Sequence, residues 1–245
     1  MTNYVMLNNI EHFDVKVSDQ NYIDPLDQKA AILTFPTEFL NIQKEYPILL
    51  SKDESTGEIQ AVALLGIQRD ENLFLKSNED GTVRWLANYI PALIAKGPFI
   101  TGLQEQSTGE QEAMVYIDVN SKKISKEKGK PLFLPHGGNS PYLEYITKIL
   151  QTIQDGKTVG DAMFTTFEKL NLLEPLTVNI DLINGDKHQL RGYYTINEEA
   201  LSNLSGENLQ RLNKLGYLQG AFLILASLSN LEKLIKIKNS NLQIA

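Results

Sequence analysis

The sequence predicts an α+β fold in which antiparallel β-hairpins form a sheet covered by helices. Three observations predict it. Paired apolar runs flank polar turns at three places in the chain. Between and after these pairs lie stretches whose apolar residues recur at helical spacing. The most polar stretch, Asn120–Lys130, is too short to separate stable halves, so a single domain spanning 1–245 is expected.

The elements follow in chain order. Pro36–Glu45 reads as a helix with Phe39 and Ile42 on one face. Tyr46–Gly66 reads as the first hairpin, its turn ending at Gly57. Val83–Ala95 reads as a helix that carries the only tryptophan, Trp85, with a kink or break at Pro91. Pro98–Val119 is the second hairpin, turning around Ser107–Glu110. Ser140–Ile153 opens as a helix, because Ser140 suits the N-cap and Pro141 the first helical position. Thr158–Leu172 reads as a separate helix. Leu176–Ile196 is the third hairpin; Asn184-Gly185 predicts a type I′ turn, and Val178, Ile180 and Leu182 share one face. Gly206–Leu215 is a short polar helix, and the last helix opens on Ser229-Asn230-Leu231-Glu232, a capping-box pattern with Leu231, Leu234 and Ile235 facing inward. A weak internal echo between the segments after Gly66 and after Gly192 raises an internal duplication.

Composition narrows the function classes. The 245 residues are 42% apolar and 22% charged, and 30 acidic against 23 basic side chains give a net charge of −7. A nucleic-acid binder would carry a basic excess or stripe, so no nucleic-acid partner is expected. There are no cysteines, which removes disulfides, thiolate zinc sites, iron–sulfur clusters and cysteine nucleophiles. The opening residues show no basic n-region followed by an apolar h-region, so the expected address is the cytoplasm, with signal-less export to the cell surface as the alternative. The longest apolar stretch, Leu215–Leu228, is short of the ~20 residues a spanning helix needs and is interrupted by Gln219, so it reads as a core element and no transmembrane segment is expected.

Several blocks carry a resemblance: NYVMLNNIEHFDVKV at the start, LTFPTEFLNIQKEYPILLSKDESTGEIQAVALLG, YIPALIAKGPFITG, PLFLPHGGNSPYLEYI, and the run from His188 to Ile235. Together they cover nearly the whole chain, and the sequence resembles the bacterial SapC family. That family takes its name from a protein associated with a paracrystalline surface layer. Its relatives neighbour outer-membrane receptors, flavin-dependent halogenase-like proteins and cupin-like oxygenases. The resemblance implies an accessory or binding role linked to cell-surface or outer-membrane systems, with a protein partner there. It brings no catalytic residues with it.

The chemistry-bearing motifs are sparse. Neither GxxxxGK(S/T) nor a GxGxxG after a strand is present, which disfavours the common nucleotide sites. His136-Gly137-Gly138 is similar to the oxyanion loop of some esterases, but Gly138-Asn139-Ser140-Pro141-Tyr142 lacks the last glycine of a nucleophile elbow. His12-Phe13-Asp14 spells HxD on an expected strand, where alternation puts both side chains on one face. With His188, or His136 in its place, these two could form a two-His-one-carboxylate Fe(II) site. The acidic pairs Asp53/Glu54, Glu110/Glu112 and Glu198/Glu199 fall in turns or at helix starts, where they solvate the chain or favour the helix dipole. The lysine run Lys122–Lys130 is the one local basic patch; it reads as a solvated loop or as a dock for an anionic surface.

The leading expectation is a non-enzymatic, soluble binding or accessory protein without a cofactor. The alternative is a non-haem Fe(II) oxygenase-like enzyme using His12, Asp14 and His188 or His136. Self-association, up to a surface array, stays open.

Overall fold

Paired strands build four antiparallel sheets among the described residues. The structure is a computed structural model that describes residues 2–18, 25–78, 82–105 and 111–244. In chain order the elements are β1 (Tyr4–Met6), β2 (Lys16–Val17), a 3-10 turn at Pro25–Gln28, β3 (Ala31–Thr34), a 3-10 turn at Pro36–Glu38 that leads into α1 (Phe39–Ile42), β4 (Ile48–Lys52), β5 (Ile59–Leu64), β6 (Leu75–Ser77), β7 (Val83–Trp85) and α2 (Ala92–Ala95). Then come β8 (Phe99–Glu105), β9 (Gln111–Asp118), β10 (Ile124–Ser125), β11 (Lys130–Pro131), α3 (Pro141–Lys169), β12 (Leu173–Asp181), β13 (Lys187–Ile196), α4 (Glu198–Ser202), α5 (Gly206–Lys214), α6 (Tyr217–Ser227) and α7 (Asn230–Ile244). The central sheet has the order β12-β13-β4-β5-β3; the smaller sheets are β1-β9-β8, β10-β2-β11 and β6-β7. The fold class is α+β, as the sequence predicts.

All three expected hairpins form. In the first, the Asp53 carboxylate accepts the N–H groups of Ser55 and Thr56, and Gly57 takes the left-handed φ of 74° that closes the turn. The second pairs β8 with β9, and its expected turn at Ser107–Glu110 lies outside the described residues. The third departs from the predicted type I′ turn. Only Gly185 is left-handed (φ 89°), and the N–H of Gly185 donates to Leu182 O while that of Leu182 donates to Asp186 O, each at 2.9 Å. This is a three-residue loop with its glycine in the αL position. The Asn184 side chain explains the difference: its Oδ1 accepts Asp186 N at 3.1 Å, a local turn that keeps Asn184 at ordinary φ.

Two helix boundaries also differ from expectation. Val83–Ala95 is not one helix: Val83–Trp85 is a strand paired with β6, and only the four residues after Pro91 are helical. A β-branched and an aromatic residue suit that strand, and Pro91 starts the helix instead of kinking it. Conversely, the two helices expected at Ser140–Ile153 and Thr158–Leu172 are one 29-residue helix, α3. Its start is as expected, with Ser140 Oγ accepting Leu143 N at 3.1 Å. Its middle contains Gly156 and Gly160, where the Pro36–Glu38 turn approaches so closely that a side chain would not fit at Gly156.

The capping box at Ser229 is not made. Ser229 Oγ donates back to Ala226 O at 2.9 Å, and Asn230 Nδ2 donates to Gln43 O at 2.8 Å, which ties α7 to the end of α1. Leu234 is fully buried, with Leu231 and Ile235 half-buried beside it. The internal echo is not mirrored locally: the segment after Gly66 passes into the β6–β7 ribbon, whereas the one after Gly192 forms α4.

Helix α3 spans two apolar clusters. Its C-terminal half places Met163, Phe164 and Phe167 in the larger cluster, against β3–β5, α1 and α6. Its N-terminal half places Tyr142, Leu143, Ile146 and Leu150 in a second, with Val17, Phe99 and Ile117. No helix among the described residues is long and apolar enough to cross a membrane.

Candidate ligand-binding site

A cavity of about 280 Å³ opens where these two clusters meet, lined by Trp85 of β7, Ile90, Ile94 of α2, Lys123, Lys130 of β11, and Tyr142 and Tyr145 of α3. Asp27 also lines it, from the 3-10 turn before β3. Asp27 and Lys123 form an ion pair at 3.1 Å with side chains only 9% and 7% exposed. Backbone bonds hold both in place: Asn72 Nδ2 donates to Asp27 O at 2.5 Å, and Ser18 N donates to Lys123 O at 2.8 Å. The second lysine, Lys130, is exposed and stands 5.1 Å over the ring of Tyr142. Tyr142 packs edge-on against Phe99 with ring centroids 6.5 Å apart, and its hydroxyl is buried. Asp27 cancels Lys123, so the three charged side chains sum to one positive charge at an apolar, aromatic-lined concavity. Such a cavity with a few convergent polar groups has the make-up of a small-ligand site.

A buried polar network backs this cavity. Trp85 Nε1 donates to Tyr46 Oη at 2.8 Å, and Tyr46 Oη donates to Tyr89 O at 2.5 Å. Tyr89 Oη donates in turn to Glu38 Oε2 at 2.9 Å, where Ala92 N also donates at 2.9 Å, while Thr34 Oγ1 donates to Glu38 Oε1 at 2.9 Å. Burial pushes the pKa of both tyrosines far above the ordinary range, so their hydroxyls stay protonated as fixed donors. Burial also raises the pKa of Glu38 above the ordinary value of 4.5, despite the hydrogen bonds that favour its charged form.

The sign of the Glu38 effect follows from linkage. Between the ordinary value and the raised one, the folded protein binds more protons than the unfolded chain, so stability falls as pH rises through that window. Glu38→Gln removes the titration and keeps the geometry, since its amide oxygen can accept from Tyr89 and Ala92 while its NH₂ donates to Thr34. Urea unfolding is expected to show the variant gaining on the wild type as pH rises from about 4.5 towards 8. A constant difference across that range would contradict this.

The residues singled out for metal chemistry come from three segments: the turns before β2, the loop before α3, and β13. His12 and Asp14 do not sit on a strand: Asn8 Oδ1 accepts the N–H groups of Ile10 and Glu11 at 3.1 and 2.8 Å, bending the chain into turns that end before β2. Alternation therefore does not apply. His12 is buried, with Nδ1 3.2 Å from both the N and O of Asn8. Asp14 faces solvent and pairs with Lys126 at 2.8 Å, and this hydrogen bond lowers its pKa. His188 lies on β13 opposite Ile180, its Nε2 3.1 Å from Gln68 Nε2. His136 is exposed in the loop before α3, followed by Gly137 and Gly138 with φ of 86° and 83°. The described residues contain no group of three or more His, Asp or Glu side chains that could hold a metal ion.

The lysine run is not a uniform solvated patch either. Lys123 is buried against Asp27, Lys126 is paired with Asp14 and Lys130 covers Tyr142. Lys123 and Lys130 are thus the part of the cavity that the basic run signalled. Asp27, Trp85, Tyr142 and Tyr145 carried no such local signal.

A family model described as SapC matches residues 7–234. The chain belongs to the SapC family. No curated protein and no solved structure matches the chain. The blocks that carried the resemblance supply much of the SapC chain's cavity: Ile90 and Ile94 come from YIPALIAKGPFITG, and Tyr142 and Tyr145 from PLFLPHGGNSPYLEYI.

Proposed function

We propose that this SapC-family chain is a non-enzymatic accessory protein of a bacterial cell-surface or outer-membrane system, working by holding a small anionic ligand in the cavity beneath Lys130. One observation carries the ligand reading. A buried, neutralised Lys123–Asp27 pair sits beside a second lysine that stands over an aromatic face and pairs with no carboxylate among the described residues. A monoanion balances that second charge, and its apolar body meets Trp85, Ile90 and Tyr142. The volume suits a single-ring compound, at the small end of ligand pockets. The tyrosine hydroxyls behind the cavity are donors held in their protonated form, which fits recognition better than proton transfer. The surface-system link rests on the family and its namesake.

Trp85 is the only tryptophan and lines the cavity, so its emission reports on occupancy. Benzoate, neutral benzamide and cationic benzylamine are the probes. Benzoate is expected to change the emission saturably, and the other two are not at equal concentration. An equal response to all three, or none to benzoate, counts against the ligand reading. Fractionation of producing cells tests the cellular half: recovery with the envelope is expected, and recovery from the cytosol alone speaks against it.

A further inference from the structure

The groove between the β3–β5 edge and α3 borders a break in the hydrogen bonding of the central sheet. Strand β3 pairs with β5 as far as Thr34 opposite Ala61. Two hydrogen bonds fix the phase of β5: Asp53 N donates to Glu58 O at 2.8 Å on the β4 side, and Leu65 N donates to Ala30 O at 2.6 Å on the β3 side. Odd-numbered residues of β5 therefore turn their backbone groups towards β3. The next such residue beyond Ala61 is Ile59, and the position that should face it is Pro36. Proline has no N–H to give, and the carbonyl of Pro36 already accepts Phe39 N in the 3-10 turn. The N–H and C=O of Ile59, a buried residue, are left without a strand partner.

These groups face a groove of about 370 Å³. Leu33 and Phe35 line it from the strand side, and Ile153 and Phe164 from α3. Its rim carries Asp53, Glu58 and Asp161 against a single Lys157, an excess of two negative charges.

We propose that this groove binds an extended peptide segment in which apolar and basic residues alternate. The peptide backbone takes the place Pro36 vacates, donating one N–H to Ile59 O and accepting Ile59 N, as in strand addition at a sheet edge. An apolar side chain enters between Phe35 and Phe164, and basic side chains meet Glu58 and Asp161 on the rim. The occupant is a protein segment, so this site and the anion cavity near Lys130 stand or fall separately.

The test uses the full chain and a blocked pentapeptide alternating lysine and valine, labelled for fluorescence polarisation. The controls are the same peptide with glutamate for lysine and one N-methylated at its central amide. Saturable binding of the lysine peptide is expected, with affinity roughly tenfold weaker for either control. Glu58→Lys and Asp161→Lys, both at exposed positions, are expected to weaken binding of the lysine peptide and to improve that of the glutamate peptide. Amide hydrogen exchange gives a readout independent of charge: the Ile59 N–H is expected to gain protection when the lysine peptide is added. Equal affinity for the lysine and glutamate peptides, absence of binding, or unchanged exchange at Ile59 each overturns the proposal.

Discussion

Lys123→Met is expected to lower the free energy of unfolding by about 3–5 kcal/mol, read by urea denaturation at neutral pH. The methionine fills the space of the lysine stem, so packing changes little. What is lost is the partner of a carboxylate whose side chain is only 9% exposed. Removing one member of a buried pair takes away the opposite charge that offsets the desolvation of the other, and this is the expensive way to break it. The pair as a whole is not expected to be worth that much. Asp27→Leu combined with Lys123→Met should recover most of the loss, because desolvation of both ions offsets much of their attraction. A single variant as stable as the wild type would mean that Asp27 and Lys123 are not buried together. A stable double variant that no longer responds to benzoate would place the pair in recognition, beyond its part in the fold.

Gly156→Ala is expected to destabilise by about 1–3 kcal/mol, although alanine is the better helix former by about 1 kcal/mol. The cause is distance. A Cβ on Gly156 would lie 2.4 Å from both Phe35 Cβ and Thr37 Oγ1. Thr37 Oγ1 is itself committed, donating to Thr152 O at 2.8 Å on the same helix. Neither the Pro36–Glu38 turn nor α3 can yield without disturbing Phe39 and Phe164 beneath them. Gly206→Ala serves as the contrast. It sits at the start of α5, and a methyl group there would meet no atom within 4 Å. The helical gain then stands alone, and the protein should become slightly more stable. Thermal unfolding of the two variants should move in opposite directions.

What is legible in the sequence is local. The hairpins depend on apolar runs beside turn residues a few positions apart, with alternation added in the third, so Tyr46–Gly66 and Leu176–Ile196 can be read directly. The start of α3 depends on Ser140 and Pro141 alone. What is not legible depends on distant partners. Ser140–Ile153 and Thr158–Leu172 read as two helices, and nothing local shows that Gly156 between them is where Phe35 and Thr37 pack against one continuous helix. Val83–Trp85 continues an apolar run towards Pro91, and only pairing with Leu75–Ser77 makes it a strand. The HxD reading of His12 and Asp14 assumes a strand that the Asn8 side chain turns aside. The cavity is the extreme case. Asp27 and Lys123 are 96 residues apart, and nothing within either segment marks them as a pair. Part of the signal is present in the lysine run, which singles out the right loop without saying which lysine turns inward.

The most direct measurement of the central claim is the benzoate affinity of Lys130→Gln, compared with the wild type by Trp85 emission. Lys130 is exposed, so the exchange should leave the fold intact and isolate its charge at the cavity mouth. The account predicts roughly tenfold weaker binding in the variant, with unchanged unfolding behaviour. Equal affinity in the two proteins would contradict it.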